Sequence, residues 1–489
     1  MKKAILLMAM MVVKMAAMAQ EGILTEYSTG LIVDDEAYGK VPLKPELLTR
    51  EYAILPASVS LQKYCPKVAS QGDYGTCTAW SSTYAARTIA EAVKWGWTNQ
   101  DTITKEAFAP LFVYAQIKVK EDSKCINGTR MNEALDVLKI KGAPKLKNFD
   151  TKCASHVPRW IADEAKNYLI DDYFALFNNQ STSINEKINK TKKALSQERP
   201  VLVNMYLPRS FYHPGEVWNG IGDINNKAGM VYHAMCVVAY DDNKEGGAFL
   251  IMNSWSENWG NRGYTWVKYN DFAKYADYAF ELYVKKAKKI VEFPPMVKDS
   301  PIKKDTPIAY SNHFSGSLYL QLSTGDVIKQ HLNDNQNSWP IYQTDQAFPS
   351  RTKYRIFLSN NEPAYVYVIG SDLENHVSKV FPPKDNISPA LVYSQNDIAL
   401  PDEKWWIEMD DSKGKDYLCV LYSNHELPIN DIISRIKQGM GNFMNKLIGA
   451  LGKKDLAVPQ EISYDKNEIK FEAHTNGSIV PLVLEVTHK

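Results

Sequence analysis

No one sign of charge dominates this chain. Its 57 Lys and Arg stand against 56 Asp and Glu, a net charge of +1 over 489 residues. That balance excludes a whole-protein field directed at nucleic acid or an acidic membrane, so no nucleic-acid partner is expected. Long apolar runs are missing too: Ala4 to Val13 is closed by Lys14, which leaves it too short to span a bilayer. Histidine is scarce at nine and cysteine scarcer at six, and neither falls at a metal-ligand spacing, so no metal is expected. The C-terminal half has no paired carboxylates and no phosphate-binding loop. What is there, 45% hydrophobic and 23% charged residues, is ordinary globular composition at a length that calls for two domains.

The N-terminus reads as a signal peptide over residues 1–19. Lys2 and Lys3 precede the apolar run, and Ala17-Met18-Ala19 supplies small residues for cleavage. No Cys lies near that point to carry a lipid. The mature chain, from about Gln20, is therefore expected to be secreted or periplasmic. Residues 20–54 are polar and loop-like, too short to be a helical inhibitory segment, and read as a simple flap or a stretch that is clipped away.

Chemistry concentrates in three places. Cys77 sits in Gln71-Gly72-Asp73-Tyr74-Gly75-Thr76-Cys77-Thr78-Ala79-Trp80; His233 follows Tyr232; and Asn253 opens Asn253-Ser254-Trp255-Ser256-Glu257-Asn258-Trp259-Gly260. A thiol needs a base to become thiolate, and the base needs a third group to orient its ring. Cys, His and Asn thus read as covalent catalysis on acyl groups. Ala79, Ala86, Ala90 and Val93 recur at helical spacing up to Gly96, placing Cys77 in a first helical turn whose N–H groups and dipole favour thiolate. Asp73 and Gly75 are expected to keep that helix end accessible. His233 opens a strand that turns at Asp241–Gly247 into Ala248–Met252. Pairing Tyr240 with Ala248 would put His233 opposite Trp255 and on the face of Asn253, a parity that a bulge or slip would break. His213 and His156 are rivals by residue type only, each in a loop-like stretch.

These motifs, in this order, resemble the papain-like cysteine peptidases over about Leu55 to Tyr283. The resemblance implies Cys77 as nucleophile, His233 as base and acid, Asn253 as orienter and Gln71 as oxyanion donor. Trp255 would shield the His–Asn contact, Trp259 would line the leaving-group side, and the Gly128 segment would pair with substrate backbone. It also implies a peptide or protein substrate, no cofactor, and a Cys125–Cys153 bridge. Cys65, Cys236 and Cys419 have no evident partners. Several positions depart from the family pattern: Tyr74 where Cys is usual, Thr78 where Trp is usual, and Thr129 where Gly is usual. Tyr232 also replaces a common Asp or Asn. A Cys-dependent acyltransferase and an inactive peptidase scaffold that binds peptide or protein are the rival readings.

The expected organisation is α+β: a papain-like two-lobed domain over 55–285, with a helical lobe and a β-barrel-like lobe. A Lys/Pro-rich linker over 286–308 follows, then a β-sandwich-like domain over 309–489. Its strands are read at Ser317–Leu322, Tyr354–Leu358, Ala364–Ile369, Tyr417–Tyr422 and Ile479–Val486, with one helix near Ile429–Leu451. Phe381-Pro382-Pro383 and the Ile398–Pro401 step make this half similar to an uncharacterised bacterial β-rich module found attached to enzymes. Its partner is left open.

Overall fold

The structure, a computed structural model, describes residues 27–44, 55–178, 183–220, 230–284, 312–333, 339–372, 376–392, 398–401 and 405–489. The expected signal peptide, the linker and parts of the N-terminal extension lie outside the described residues.

The helical lobe forms around the segment that carries Cys77. Residues Cys77–Ala79 are α-helical, Trp80–Arg87 widen into a π-helix, and Thr88–Trp95 return to α. Gly96 ends the run in the left-handed conformation at φ 67°, as its place in the sequence predicts. Every residue of the π-helical stretch is buried, including Arg87, which pairs with Glu91 at 2.7 Å and lies over the Phe108 ring. Spacing along the sequence carries no mark of the π segment, since small residues at 3.6 or 4.4 per turn look alike over two turns. The Cys125–Cys153 disulfide is present. Cys65, Cys236 and Cys419 are buried free thiols.

The second lobe is an eight-stranded sheet, in the order Asp172–Phe177, Ala276–Tyr283, Val201–Leu207, Val231–Asp241, Ala248–Met252, Tyr264–Lys268 and Val217–Trp218, with Ser58–Ser60 added to Val231–Asp241. Its central strands are buried on both faces, which is why they read as continuous apolar runs.

The His233 hairpin corrects the expected register. At the turn, Asp241 pairs with Ala248 and Tyr240 with Phe249, one residue away from the predicted pairing. A bulge between Val237 and Ala239 then shifts the ladder, so that Cys236 pairs with Met252. The extra residue restores the predicted parity toward His233.

The C-terminal half is a sandwich with a helical cover. One sheet contains Gly414–Ser423 between Ala364–Ser371 and Ile479–His488; the other contains Asn312–Leu322 between Lys353–Asn360 and Ile469–Thr475. Their facing sides share a core that includes Leu318, Leu358, Val366, Val420 and Leu482. All five predicted strands fall within observed ones. The single predicted helix is instead two, Ile429–Gln438 and Phe443–Leu451. Gly439 and Gly441 separate them, and Asn442 caps the second by accepting from the Asn445 N–H. Met440, expected in the apolar stripe, projects from this break at 91% exposure. The helices cover the outer face of the first sheet over Tyr367, Ile369, Cys419 and Leu421. Among the described residues no helix is long and apolar enough to cross a membrane.

The segment 27–44 touches both domains. It runs past Cys77, forms the short helix Asp35–Gly39, and inserts Pro42–Lys44 between them. The Ala175 N–H and C=O bond to the Pro42 C=O and the Lys44 N–H, while the Leu43 N–H and C=O bond to the Asn386 C=O and the Ser388 N–H, all at 2.8–3.0 Å. Tyr365 adds a direct domain contact, its hydroxyl donating to Asp172 at 2.8 Å.

Candidate active site

Sequence-distant residues meet here because a helix start and a hairpin face each other. The His233 ring nitrogen Nε2 lies 2.8 Å from Asn253 Oδ1. Asn253 Oδ1 also accepts from the Ser254 N–H, which fixes the side chain that orients the ring. The other ring nitrogen, Nδ1, is buried and has no hydrogen-bond partner among the described residues. The Cys77 sulfur is approached by the backbone N–H of Ala234, the residue after His233. The imidazole is thus held by one nitrogen, with the other unengaged.

Gln71 is locked from behind. Its backbone N–H bonds to the Ser254 C=O at 2.8 Å, and its Oε1 accepts from the Ser254 hydroxyl at 2.6 Å. The amide must therefore present Nε2 outward, where it donates to the Tyr74 C=O and to the Ser28 C=O at 3.0 Å. Trp255 covers the His233 ring, stacked at 4.3 Å between centroids. Trp259 departs from expectation. It packs edge-on behind Trp255, donates to the Phe211 C=O, and is only 1% exposed. In this state it supports the wall of the cleft instead of forming its surface.

The N-terminal segment fills the cleft. Tyr27 stacks on Trp255 at 4.9 Å and on Tyr212 at 6.1 Å. The Ser28 carbonyl accepts from both Gln71 Nε2 and Trp255 Nε1, the latter at 2.8 Å. The Gly30 N–H faces the Cys77 sulfur. Thr129 then bridges residues 30–32 in parallel, its N–H donating to the Gly30 C=O and its C=O accepting from the Ile32 N–H. Gly128, at φ 78°, allows this approach: a Cβ there would stand 2.3 Å from the Gly30 oxygen. The Gly128 segment, expected to pair with substrate backbone, here pairs through Thr129 with the protein's own chain.

This cover overturns the expectation of an accessible, acidic thiol. Cys77 and His233 are both fully buried. Burial pushes the Cys77 thiol up to about 11, despite the N–H groups around it that act to lower it. Burial likewise pulls His233 down to about 4, against the raising effect of Asn253. Desolvation outweighs the helix start, and the covered site favours thiol with neutral imidazole. The covering residues lie in the polar extension, which sequence alone marks only as a flap or a removable stretch.

Two departures from the family pattern answer each other. Thr78 and Thr129 are buried and their hydroxyls meet at 2.6 Å. Tyr232, before the histidine, instead bonds Asp277 at 2.9 Å. His213 and His156 take no part in the pair.

Residues 55–280 match the family model of papain family cysteine proteases, and residues 347–426 match a domain of unknown function, DUF4384. An uncharacterized peptidase C1-like protein of Acanthamoeba polyphaga mimivirus is 22% identical over 246 residues, which are 45% of this chain and 70% of that protein. Xylellain, a cysteine protease from Xylella fastidiosa, is 20% identical over 53% of this chain and 97% of its own, with a TM-score of 0.41. A digestive procathepsin L from the larval midgut of Tenebrio molitor is 18% identical over 51% and 77%, with a TM-score of 0.39. The segment 55–280 is a papain family cysteine protease domain, joined in this chain to a C-terminal domain of unknown function.

Proposed function

We propose that this protein is an exported cysteine peptidase that hydrolyses peptide bonds through a thioester, and that residues 27–32 hold it latent. The observation that carries this reading is the Ser28 carbonyl at Gln71 Nε2, with the Gly30 N–H at the Cys77 sulfur and His233 oriented by Asn253. The site holds a peptide carbonyl with the donor an oxyanion would need.

In the uncovered enzyme, His233 Nδ1 takes the Cys77 proton and the sulfur attacks the substrate carbonyl carbon. The oxygen gathers charge against Gln71 Nε2 and the Cys77 N–H. The C–N bond then breaks as His233 returns the proton to the leaving amine. Water, deprotonated by His233, cleaves the thioester, releasing the acid and regenerating the thiol. Asn253 keeps Nε2 engaged so that Nδ1 handles every transfer.

The covering segment escapes this chemistry by direction. Residues 30–32 lie beside Gly128, which we assign to the acyl part of a substrate, and Tyr27 lies on Trp255, whose neighbour Trp259 is expected on the leaving-group side. A substrate runs the other way. An N–H, that of Gly30, faces the sulfur. The Cys125–Cys153 bridge supports an oxidising location outside the cytoplasm. The full burial of Cys77 also favours a second reading, a scaffold that is never uncovered.

Digestion of an unfolded protein by the full chain carrying Gly30→Ala, under reducing conditions, separates the two. New peptide termini that Cys77→Ala abolishes, and acyl hydroxamates on adding hydroxylamine, are the expected products. Absence of both, with Cys77 accessible to alkylation, would leave the scaffold reading.

A further inference from the structure

In the C-terminal domain the antiparallel strands Asn312–Leu322 and Ile469–Thr475 pair His313 directly with His474. Residues two apart on a strand share a face, so Glu472 joins both histidines on one side of the sheet. Its Oε1 lies 3.1 Å from His313 Nε2 and 3.4 Å from His474 Nε2. The two rings stack at 4.4 Å, 11° from parallel, and the three ligand atoms all lie within 4.8 Å of one another.

Those separations fit a metal. Donors at about 2.0–2.1 Å in tetrahedral array stand roughly 3.3–3.4 Å apart, close to both N···O distances here. A carboxylate also stands behind one ring: Glu362 Oε1 is 3.4 Å from His313 Nδ1. A histidine that ligates through one nitrogen commonly gives its other N–H to a carboxylate, which fixes tautomer and ring orientation. Two imidazole nitrogens with one carboxylate suit borderline transition metals and disfavour calcium and magnesium, which take oxygen. Glu472 and His474 side chains are each 58% exposed and His313 is 23% exposed, so the cluster opens on solvent.

We propose that His313, Glu472 and His474 form a three-ligand site for a divalent transition-metal ion of the zinc class, with Glu362 positioning His313 and one coordination position facing solvent. The ligands come from segments about 160 residues apart in sequence, and Glu472 and His474 fall at strand spacing, so no contiguous ligand motif marks them.

The test uses the full chain carrying Cys77→Ser, stripped by chelation and titrated with Co2+, then with Zn2+ in competition. One equivalent of Co2+ should bind with visible d–d bands of a four- or five-coordinate ion, and Zn2+ should displace it. His474→Ala and Glu472→Gln, both at exposed positions that leave the fold intact, should each weaken binding by at least tenfold. Glu362→Gln, which removes only the positioning carboxylate, should weaken it about 10- to 100-fold while preserving the bands. No saturable binding below about 1 mM Zn2+, the range of weak surface contacts, would overturn the proposal. So would one-equivalent binding that His474→Ala and Glu472→Gln leave unchanged.

Discussion

Gly30 lies so close to Gly75 that a Cβ on Gly30 would stand 2.0 Å from the Gly75 carbonyl oxygen. No side chain fits there without moving backbone, so the covering segment passes Cys77 only as glycine. Gly30→Ala is expected to displace residues 27–32 and uncover the site. Overpacking of this kind costs about 1–3 kcal/mol, which corresponds to roughly a 5- to 150-fold shift toward the open form. The rate of Cys77 alkylation by iodoacetamide should rise within that range.

Latency should depend on pH in two directions. His233 is held down at about 4 by burial, so the covered form resists a proton that the hydrated open form accepts near its ordinary 6.5. Covering is unaffected above that value and weakens as pH falls from about 6.5 toward 4. Cys77 is held up at about 11, so the covered form also weakens as pH rises from the ordinary thiol value toward 11. The Ile32 amide, bonded to the Thr129 C=O, should show its greatest hydrogen-exchange protection factor between these limbs. A protection factor independent of pH from 4 to 7 would contradict the His233 limb.

The Thr78–Thr129 contact should behave as a unit. Thr78→Val alone strands a buried hydroxyl and is expected to cost about 1–3 kcal/mol. Adding Thr129→Val removes the stranded group and should recover part of that loss. Chemical denaturation of the four proteins gives the coupling; additive losses would mean that the hydroxyls do not depend on each other.

The C-terminal domain grips the same segment that covers Cys77. Leu43→Pro deletes the N–H that donates to the Asn386 C=O, and Tyr365→Phe deletes the hydroxyl that donates to Asp172. If the grip helps to hold the cover, the pair should raise the Cys77 alkylation rate several-fold, each lost bond being worth about 0.5–1.5 kcal/mol. Unchanged alkylation would show that the cover is held by the cleft alone.

The candidate site residues were legible because each sits in a local motif. Cys77 opens a helix, and Asn253 lies across a hairpin from His233. Even there the register needed a bulge at Val238 that no residue type announces. The cover was illegible for a different reason. Ser28, Gly30 and Tyr27 bond through backbone or through rings contributed by distant segments, so nothing in their own neighbourhood marks them. Thr78 and Thr129 likewise read as separate departures until the fold brings them together. In the second half, alternating β-branched and aromatic residues placed the strands, whereas the turn at Gly439–Asn442 was hidden inside an apolar stripe that continues on both sides of it.

We propose that Cys77 is a nucleophile activated by His233 and covered by residues 27–32. Its most direct test is labelling of the full chain with a peptidyl epoxysuccinyl inhibitor, followed by mass spectrometry of the modified peptide. Slow labelling of the unaltered chain, fast stoichiometric labelling of Cys77 in Gly30→Ala, and loss of that labelling when His233→Ala is added are expected. Equal labelling of the unaltered and Gly30→Ala chains, or labelling of Gly30→Ala that survives His233→Ala, would contradict it.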